Sequence, residues 1–398
     1  MFNACRRRIW RTGALLKLVM TQSNLTLRGG GERVLLKIAQ HYDAKIYTAE
    51  YDKGSTFEEF ADLDVSVIGK GGLRGMMPYG RVAQGITYGM AFYGMRVRED
   101  YDVINAHMAP SHWIRHLNDR VLWYCHTPLR DVWDLYWYRL SLKKPLQKPV
   151  YMVGAKAVRA IDRRVVRDIE FIFANSHNTR SRLVKYFGRD DAKVLKGGID
   201  SGRYENRGDG RYFLYPSRIS PNKRQTLAIE AFVRFKRLMG RKADGYRLIM
   251  AGSISKDKAF QDYYAQVADM ARKVSGVSVL TNIDDKRLLD LYSRSTAVLY
   301  PPMDEDYGLV PLEAMASGKV VIASNEGGPR ETVSDGSTGF LVNGPQGMAE
   351  RMRDVVLEPA RAKDMGRRGV RNVRSNYSWE NFFQTFDKGL RRVKKGGT

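Results

Sequence analysis

The sequence predicts an α/β protein built as two Rossmann-like domains, each a parallel sheet with helices on both faces. Three observations predict it. The 398 residues exceed one ordinary core and suit two domains of about 200 residues each. Short apolar runs alternate along the chain with patterns of helical period, which implies parallel strands joined by crossover helices. The polar, glycine-rich stretch GRYENRGDG at 202–210 interrupts that alternation and reads as a linker. The expected divisions are 1–201 for the first domain, 211–376 for the second, and 377–398 for a terminal amphipathic helix with a basic tail.

In the first domain the opening strand is expected from Leu15 to Met20. The preceding residues run basic and then apolar, as a secretory signal does. Their apolar part is short, is interrupted by Lys17 and lacks a small-residue cleavage site, so a signal is rejected. After the strand, LTLRGGGERVLLKIAQ reads as a glycine loop opening a helix, with Val34, Leu35, Ile38 and Ala39 on one face. Gly29 and Gly30 allow a ligand to approach the backbone closely, although tight turns need glycine too. Further strands are expected at 44–48, 64–68, 102–105, 121–124 and 171–174, and ligands in such sheets sit at the carboxyl ends of strands. His126 directly follows one of these strands and is either a site residue or a histidine packed among aromatics. His107 is left as cleft lining.

Two segments of this domain break the pattern. Residues 70–98 are rich in Gly, Met, Tyr and Arg and are expected to form a mobile, adhesive surface rather than a packed unit. Residues 141–170 carry eight Lys or Arg against three acids, with Val150, Val153, Ala157, Ala160 and Ile161 at helical spacing. A basic amphipathic helix of this kind either lies on an anionic bilayer or packs on its own domain with a solvated face.

The second domain opens with YFLYPSRISPNKRQTLAIEAF as strand, loop and helix, with Arg218 and Lys223 in the loop. Strands at 246–251 and 277–280 follow. A short buried strand at 297–300 is stopped by Pro301 and Pro302, which cannot donate ladder hydrogen bonds. A loop carrying Glu305 must come next. Pro311 suits the first turn of a helix that ends at Ser317 and Gly318, before a strand at 319–323. Glu313 is then expected in the first turn. The backbone N–H groups of Gly308, Leu309 and Val310, at the positive helix end, suit an anion flanked by two carboxylates.

These residues carry a resemblance. Glu305 and Glu313, set in DYGLVPLEAMASGKVVIASNEGGPRETVSDGSTGFLV, together with SPNKRQTLAIEAF, resemble the donor site of retaining glycosyltransferases of family 4, which have the GT-B fold of two Rossmann-like domains facing each other across a cleft. The stretch HTPLRDVWD resembles the subgroup that uses GDP-mannose. The resemblance implies that Arg218 and Lys223 meet the donor diphosphate, Glu305 the donor sugar and Glu313 the ribose. It further implies that His126 reaches the sugar and that Gly29 and Gly30 lie beside the donor phosphates and acceptor. No cofactor is implied beyond the nucleotide sugar, and no metal. The final helix is expected to cross back to the first domain. The chain departs from the family pattern at AGSISKDKAF, at KGGID and over its first fourteen residues.

A net charge of +24 points to an anionic partner. No helix-turn-helix, zinc or RNA-recognition signature accompanies it, so nucleic acid is not the expected partner. A polyprenyl-phosphate-linked glycan acceptor and an anionic membrane surface are. Two cysteines, Cys5 and Cys125, form no disulfide framework and are expected as free thiols in a reducing compartment. No window is long and apolar enough to span a bilayer. Together these place the protein in the cytoplasm, peripheral on the cytoplasmic membrane face. Two other readings stay open: a metal-dependent GT-A transferase using Asp304 and Asp306 as oxygen ligands, and a non-catalytic basic protein that binds nucleic acid or membrane and keeps the fold.

Overall fold

The computed structural model describes residues 16–68, 81–254 and 258–396. It divides into two compact units. One runs up to Gly197 and takes back the chain from Phe383, and the other is Gly198–Phe382.

The first unit holds strands β1 (Leu18–Gln22), β2 (Lys45–Thr48), β3 (Val65–Val67), β4 (Val103–Ala106), β5 (Val121–Cys125), β6 (Phe171–Ala174) and β7 (Lys193–Val194). They pair in the order β3-β2-β1-β4-β5-β6-β7, every pair parallel. The strand order reverses between β1 and β4, and the carboxyl ends of that pair form a switch point where α/β sheets bind ligands. Helices α1 (Gly30–Tyr42), α2 (Arg81–Tyr93), α3 (Tyr136–Ser141), α4 (Lys148–Asp168) and α5 (His177–Phe187) connect them. Strands β1, β4, β5 and β6 are buried at every position, which their unbroken apolar runs require of strands covered on both faces.

The second unit repeats the plan with β8 (Tyr212–Pro216), β9 (Arg247–Ala251), β10 (Val277–Leu280), β11 (Ala297–Tyr300), β12 (Val320–Ser324) and β13 (Gly339–Val342), in the order β10-β9-β8-β11-β12-β13. Its switch point lies between β8 and β11. Helices α6 (Gln225–Met239), α7 (Lys258–Arg272), α8 (Asp285–Arg294), α9 (Leu309–Ala316), α10 (Pro329–Thr332), α11 (Gly344–Leu357) and α12 (Pro359–Asn376) belong to it. On α6, Ala228, Ala231, Phe232 and Phe235 are buried at the spacing that one helical face requires. The last helix, α13 (Trp379–Gly396), leaves this unit at Phe383. Its Phe386, Leu390 and Val393 are buried, and Gly389 admits the Phe173 ring of β6.

Two sequence readings are corrected here. Within 70–98, the part from 70 to 80 lies outside the described residues, but Arg81–Tyr93 is helix α2. Tyr88 and Phe92 are buried, and any side chain on Gly89 would come within 2.6 Å of the Trp113 ring. Gly89, one of the glycines that disguised the helical period, serves its packing. Residues 202–210 are held in place as well: buried Lys319, just before β12, donates to Asn206 Oδ1 at 3.0 Å, the Gly208 carbonyl at 2.7 Å and Asp209 Oδ1 at 3.1 Å. The opening strand starts at Leu18, three residues later than expected.

Candidate active site

In the first unit the site residues gather around the β1/β4 switch point. Gly29 is the N-cap of α1 in extended conformation, Gly30 is its first residue, and Glu32 is buried in its first turn. His126 follows β5 and is 8% exposed. A chain of polar contacts fixes its state. Asn105 donates its Nδ2 to the Leu122 carbonyl at 3.1 Å, so Oδ1 faces His107 Nε2 at 2.7 Å and accepts from it. His107 is pushed well below its ordinary value by burial and then by the neighbouring His126, so it is neutral and its Nδ1 accepts. His126 Nε2, 3.1 Å away, therefore carries the proton. The Nδ1 of His126 faces the α1 amino end, 3.7 Å from where a Gly31 side chain would begin. His107, read from the sequence only as lining, is the residue that sets the tautomer of His126.

Gln22 was missed by sequence reasoning. It ends β1, is fully buried, and accepts from the Met108 amide through Oε1 at 3.2 Å. Its Nε2 is buried with no partner among the described residues. A buried donor left over at a switch point is the kind of group that a bound hydroxyl satisfies. A strand-terminal glutamine carries no local signal, so only the strand order reveals it.

In the second unit three loops meet at the β8/β11 switch point. Lys223, in the loop after β8, donates its ammonium to Glu305 Oε2 in the loop after β11. Both side chains are mostly buried, at 13% and 18% exposure. The Met303 amide donates to the Asn222 carbonyl at 2.8 Å, and Tyr215 donates its hydroxyl to the Lys223 carbonyl. A third loop closes the arrangement. Arg224 pairs with Glu326 at 2.7 Å, and the Gly328 amide donates to the Glu305 carbonyl at 2.7 Å. Gly327 holds φ +57° against the Glu305 backbone, where a side chain would be both strained and blocked. Arg224 and Glu326 were not singled out in the sequence, since two charges about a hundred positions apart announce nothing.

Glu313 lies on α9, which begins at Leu309, two residues before Pro311. Glu313 therefore falls just past the first turn rather than within it. Tyr292 of α8 donates its hydroxyl to Glu313 Oε2 at 2.6 Å and holds the carboxylate in place. Burial, and then the Glu313 charge, drive that phenol well above its ordinary range, so it remains a donor. Gly308 caps α9 at φ +83°, and the amides of Leu309 and Val310 have no earlier helical carbonyl to bond. Tyr300 at the end of β11 lies beneath, 5.7 Å from ring centre to Lys223 Nζ. Arg218 is half-buried in the same loop as Lys223, but its guanidinium makes no hydrogen bond or ion pair to a described residue. The structure thus joins Lys223 directly to Glu305, in the loop that leads into α9, and brings Arg218 only into the same loop as Lys223.

A preorganised cation, two anchored carboxylates and unpaired helix-end amides at one switch point suit an anionic ligand that also carries hydroxyls. Family models agree with this arrangement. "Glycosyltransferase Family 4" matches residues 28–203, and "Glycosyl transferases group 1" matches residues 199–371. The Homo sapiens "Alpha-1,3/1,6-mannosyltransferase ALG2" is 30% identical over 388 residues, covering 89% of this chain and 91% of that protein. The chain belongs to glycosyltransferase family 4. The Dictyostelium discoideum protein of the same name is 26% identical, covering 92% of this chain and 96% of its own. Among solved structures, Anabaena HepE in complex with UDP and glucose superposes with a TM-score of 0.72 at 16% identity, covering 94% of this chain and 99% of that one. Sucrose-phosphate synthase from Thermosynechococcus elongatus gives 0.73 at 17% identity, covering 96% and 100%. The fold of this family 4 hexosyltransferase is GT-B, and the GT-A reading of Asp304 and Asp306 falls with it. Cys125 is a buried free thiol, and among the described residues no helix is long and apolar enough to cross a membrane.

Proposed function

We propose that the protein transfers mannose from GDP-mannose to a lipid-linked glycan, with retention at the anomeric carbon and without a metal ion. The mannose and the glycan acceptor rest on the full-length relatives named as mannosyltransferases. The single observation that carries the chemistry is the mostly buried Lys223–Glu305 pair in the loop that leads into α9.

Loss of the nucleoside diphosphate builds negative charge on its β-phosphate. Lys223, held by Glu305 and unable to swing away, meets that charge as it forms, and the Leu309 and Val310 amides add fixed dipoles. Arg218, unpaired in the same loop, adds a second cation. With two cations and a helix end in place, a divalent ion has no charge left to neutralise there. Glu313, oriented by Tyr292, accepts from the ribose hydroxyls, while Glu305 accepts from the sugar. In the first unit His126 presents Nδ1 to a sugar hydroxyl, the Gln22 amide donates to another, and Gly29 and Gly30 open the backbone to the acceptor.

The acceptor's lipid places the enzyme at a bilayer surface, for which a cytoplasmic, peripheral attachment through the basic segment 141–170 is the matching arrangement. Nucleotide stabilisation tests the donor assignment. A ligand that binds only the native state at 100 times its Kd adds about 2.7 kcal/mol of stability. GDP should raise the melting temperature and UDP should not. A rise with UDP alone would overturn the donor assignment.

A further inference from the structure

Helix α4 presents two faces that serve different ends. Tyr151, Ala155, Val158, Asp162, Val165 and Val166 are buried. Asp162 anchors this face: its Oδ1 accepts from His112 Nε2 at 2.7 Å and Trp113 Nε1 at 2.9 Å, and its Oδ2 from Trp133 Nε1 at 2.8 Å. The opposite stripe, Val150, Val153, Ala157, Ala160, Arg164 and Arg167, is exposed throughout. These positions follow one another at three- and four-residue steps, so they form one straight row about 25 Å long.

The row changes character along its length. At its start Val150 is 75% exposed and Val153 71%, and α3 with the turn after it adds Trp137, Leu142 and Leu146, the last 91% exposed. Its end opens onto a cavity of about 630 Å³ lined by Arg163, Arg164, Arg167, Tyr186 and Phe187. One wall is rigid: Arg163 donates to the Tyr186 carbonyl at 3.3 Å and lies 5.0 Å over the Trp133 ring, on which Tyr186 stacks. Arg164 makes no ion pair with a described residue. Arg167 reaches only the exposed carboxylate of Asp168, at 3.0 Å. None of the candidate active-site residues lines this cavity.

We propose that this cavity binds the phosphate headgroup of an anionic membrane lipid, while the apolar start of α4 and the turn before it enter the acyl region. This rests on the lipid-linked acceptor reading above and deepens it. Guanidinium groups pair phosphate oxygens in two-point contacts, and three around one opening match a single headgroup. The large aliphatic side chains left exposed at the start of the same row suit a bilayer edge. Because Asp162 fixes the helix, apolar row and cavity meet the membrane as one rigid surface.

Co-sedimentation with phosphatidylcholine vesicles, with and without phosphatidylserine, tests this using the whole chain. The parent should bind the phosphatidylserine vesicles, and less so as salt rises. Arg164→Glu/Arg167→Glu should lower that binding about tenfold or more while keeping the melting temperature and its rise with GDP. Leu146→Ser/Val150→Ser should weaken binding to both kinds of vesicle. Unchanged binding by the arginine variant overturns the cavity assignment alone. No vesicle binding by the parent overturns membrane attachment as well, and loss of GDP stabilisation in the parent would instead strike the donor reading. Protection by inorganic phosphate without vesicle binding assigns the cavity to soluble phosphates and overturns the lipid source. Preference for a single-stranded oligonucleotide over vesicles overturns the proposal in favour of nucleic acid.

Discussion

At the scale of single residues, the second unit separates two kinds of contact that kinetics can tell apart. If Lys223 faces charge that grows only as the diphosphate leaves, as proposed, Lys223→Ala should lower kcat and kcat/KM together, on the order of 10²-fold. Glu313 is proposed to hold the ribose, a part of the donor that is the same before and during reaction. Glu313→Gln should therefore raise the donor KM with little change in kcat, and Tyr292→Phe should do so more weakly by releasing the carboxylate it orients. Steady-state kinetics on variants that melt within a few degrees of the parent checks both. A change in KM alone for Lys223→Ala would remove it from the diphosphate. Glu305 and Glu313 were readable in the sequence because one loop and one helix carry them. Their partners Lys223 and Tyr292 come from other elements, and for Tyr292 nothing local signals the contact.

His107 links residue chemistry to stability. Its folded-state value is lowered below the ordinary 6.5 by burial, so below that pH the unfolded chain binds a proton that the native chain refuses. Stability is full above pH 6.5 and falls as pH drops toward the folded-state value, by up to about 1.4 kcal/mol per pH unit from this group. His107→Gln should flatten that part of the profile relative to the parent. Urea unfolding between pH 8 and pH 5 measures it, and parallel profiles would show that His107 titrates normally.

At the scale of elements, glycine placement decided what the sequence could and could not show. Strands β5, β6, β9 and β11 were legible within a residue or so because buried parallel strands are continuous apolar runs. Strand β7 has two residues, neither of them fully buried, and carries no such run. Helix α2 was hidden by Gly85 and Gly89, yet Gly89 is where Trp113 packs. Gly327 was visible only as part of a motif, and its reason is physical. Gly327→Ala should cost about 1 to 3 kcal/mol through φ strain, and should depress kcat by moving Glu305, whose backbone it touches. Denaturant titration alongside kinetics reads both. A variant that loses stability but keeps kcat would separate the turn from the site.

At the scale of the whole molecule, the order of strands was beyond the sequence, although their number and spacing were nearly legible. Pairing order arises from contacts between distant segments, and it alone shows that β1 with β4, and β8 with β11, make the two switch points. The return of the last helix is the other long-range feature. The unit that opens the chain is completed by its end, where Phe386, Leu390 and Val393 are buried and Asp387 accepts from Tyr42 at 2.5 Å. Phe386 lies 6.1 Å from Phe173 of β6, ring centre to ring centre. Phe386→Ala removes a fully buried ring at a cost of about 3 to 5 kcal/mol, and that loss should fall on the first unit. Hydrogen exchange should then speed in peptides from 16–197 and from α13 while those from 212–376 keep parental protection. If exchange rose equally across both units, they would unfold as one cooperative body and α13 would stabilise the molecule as a whole.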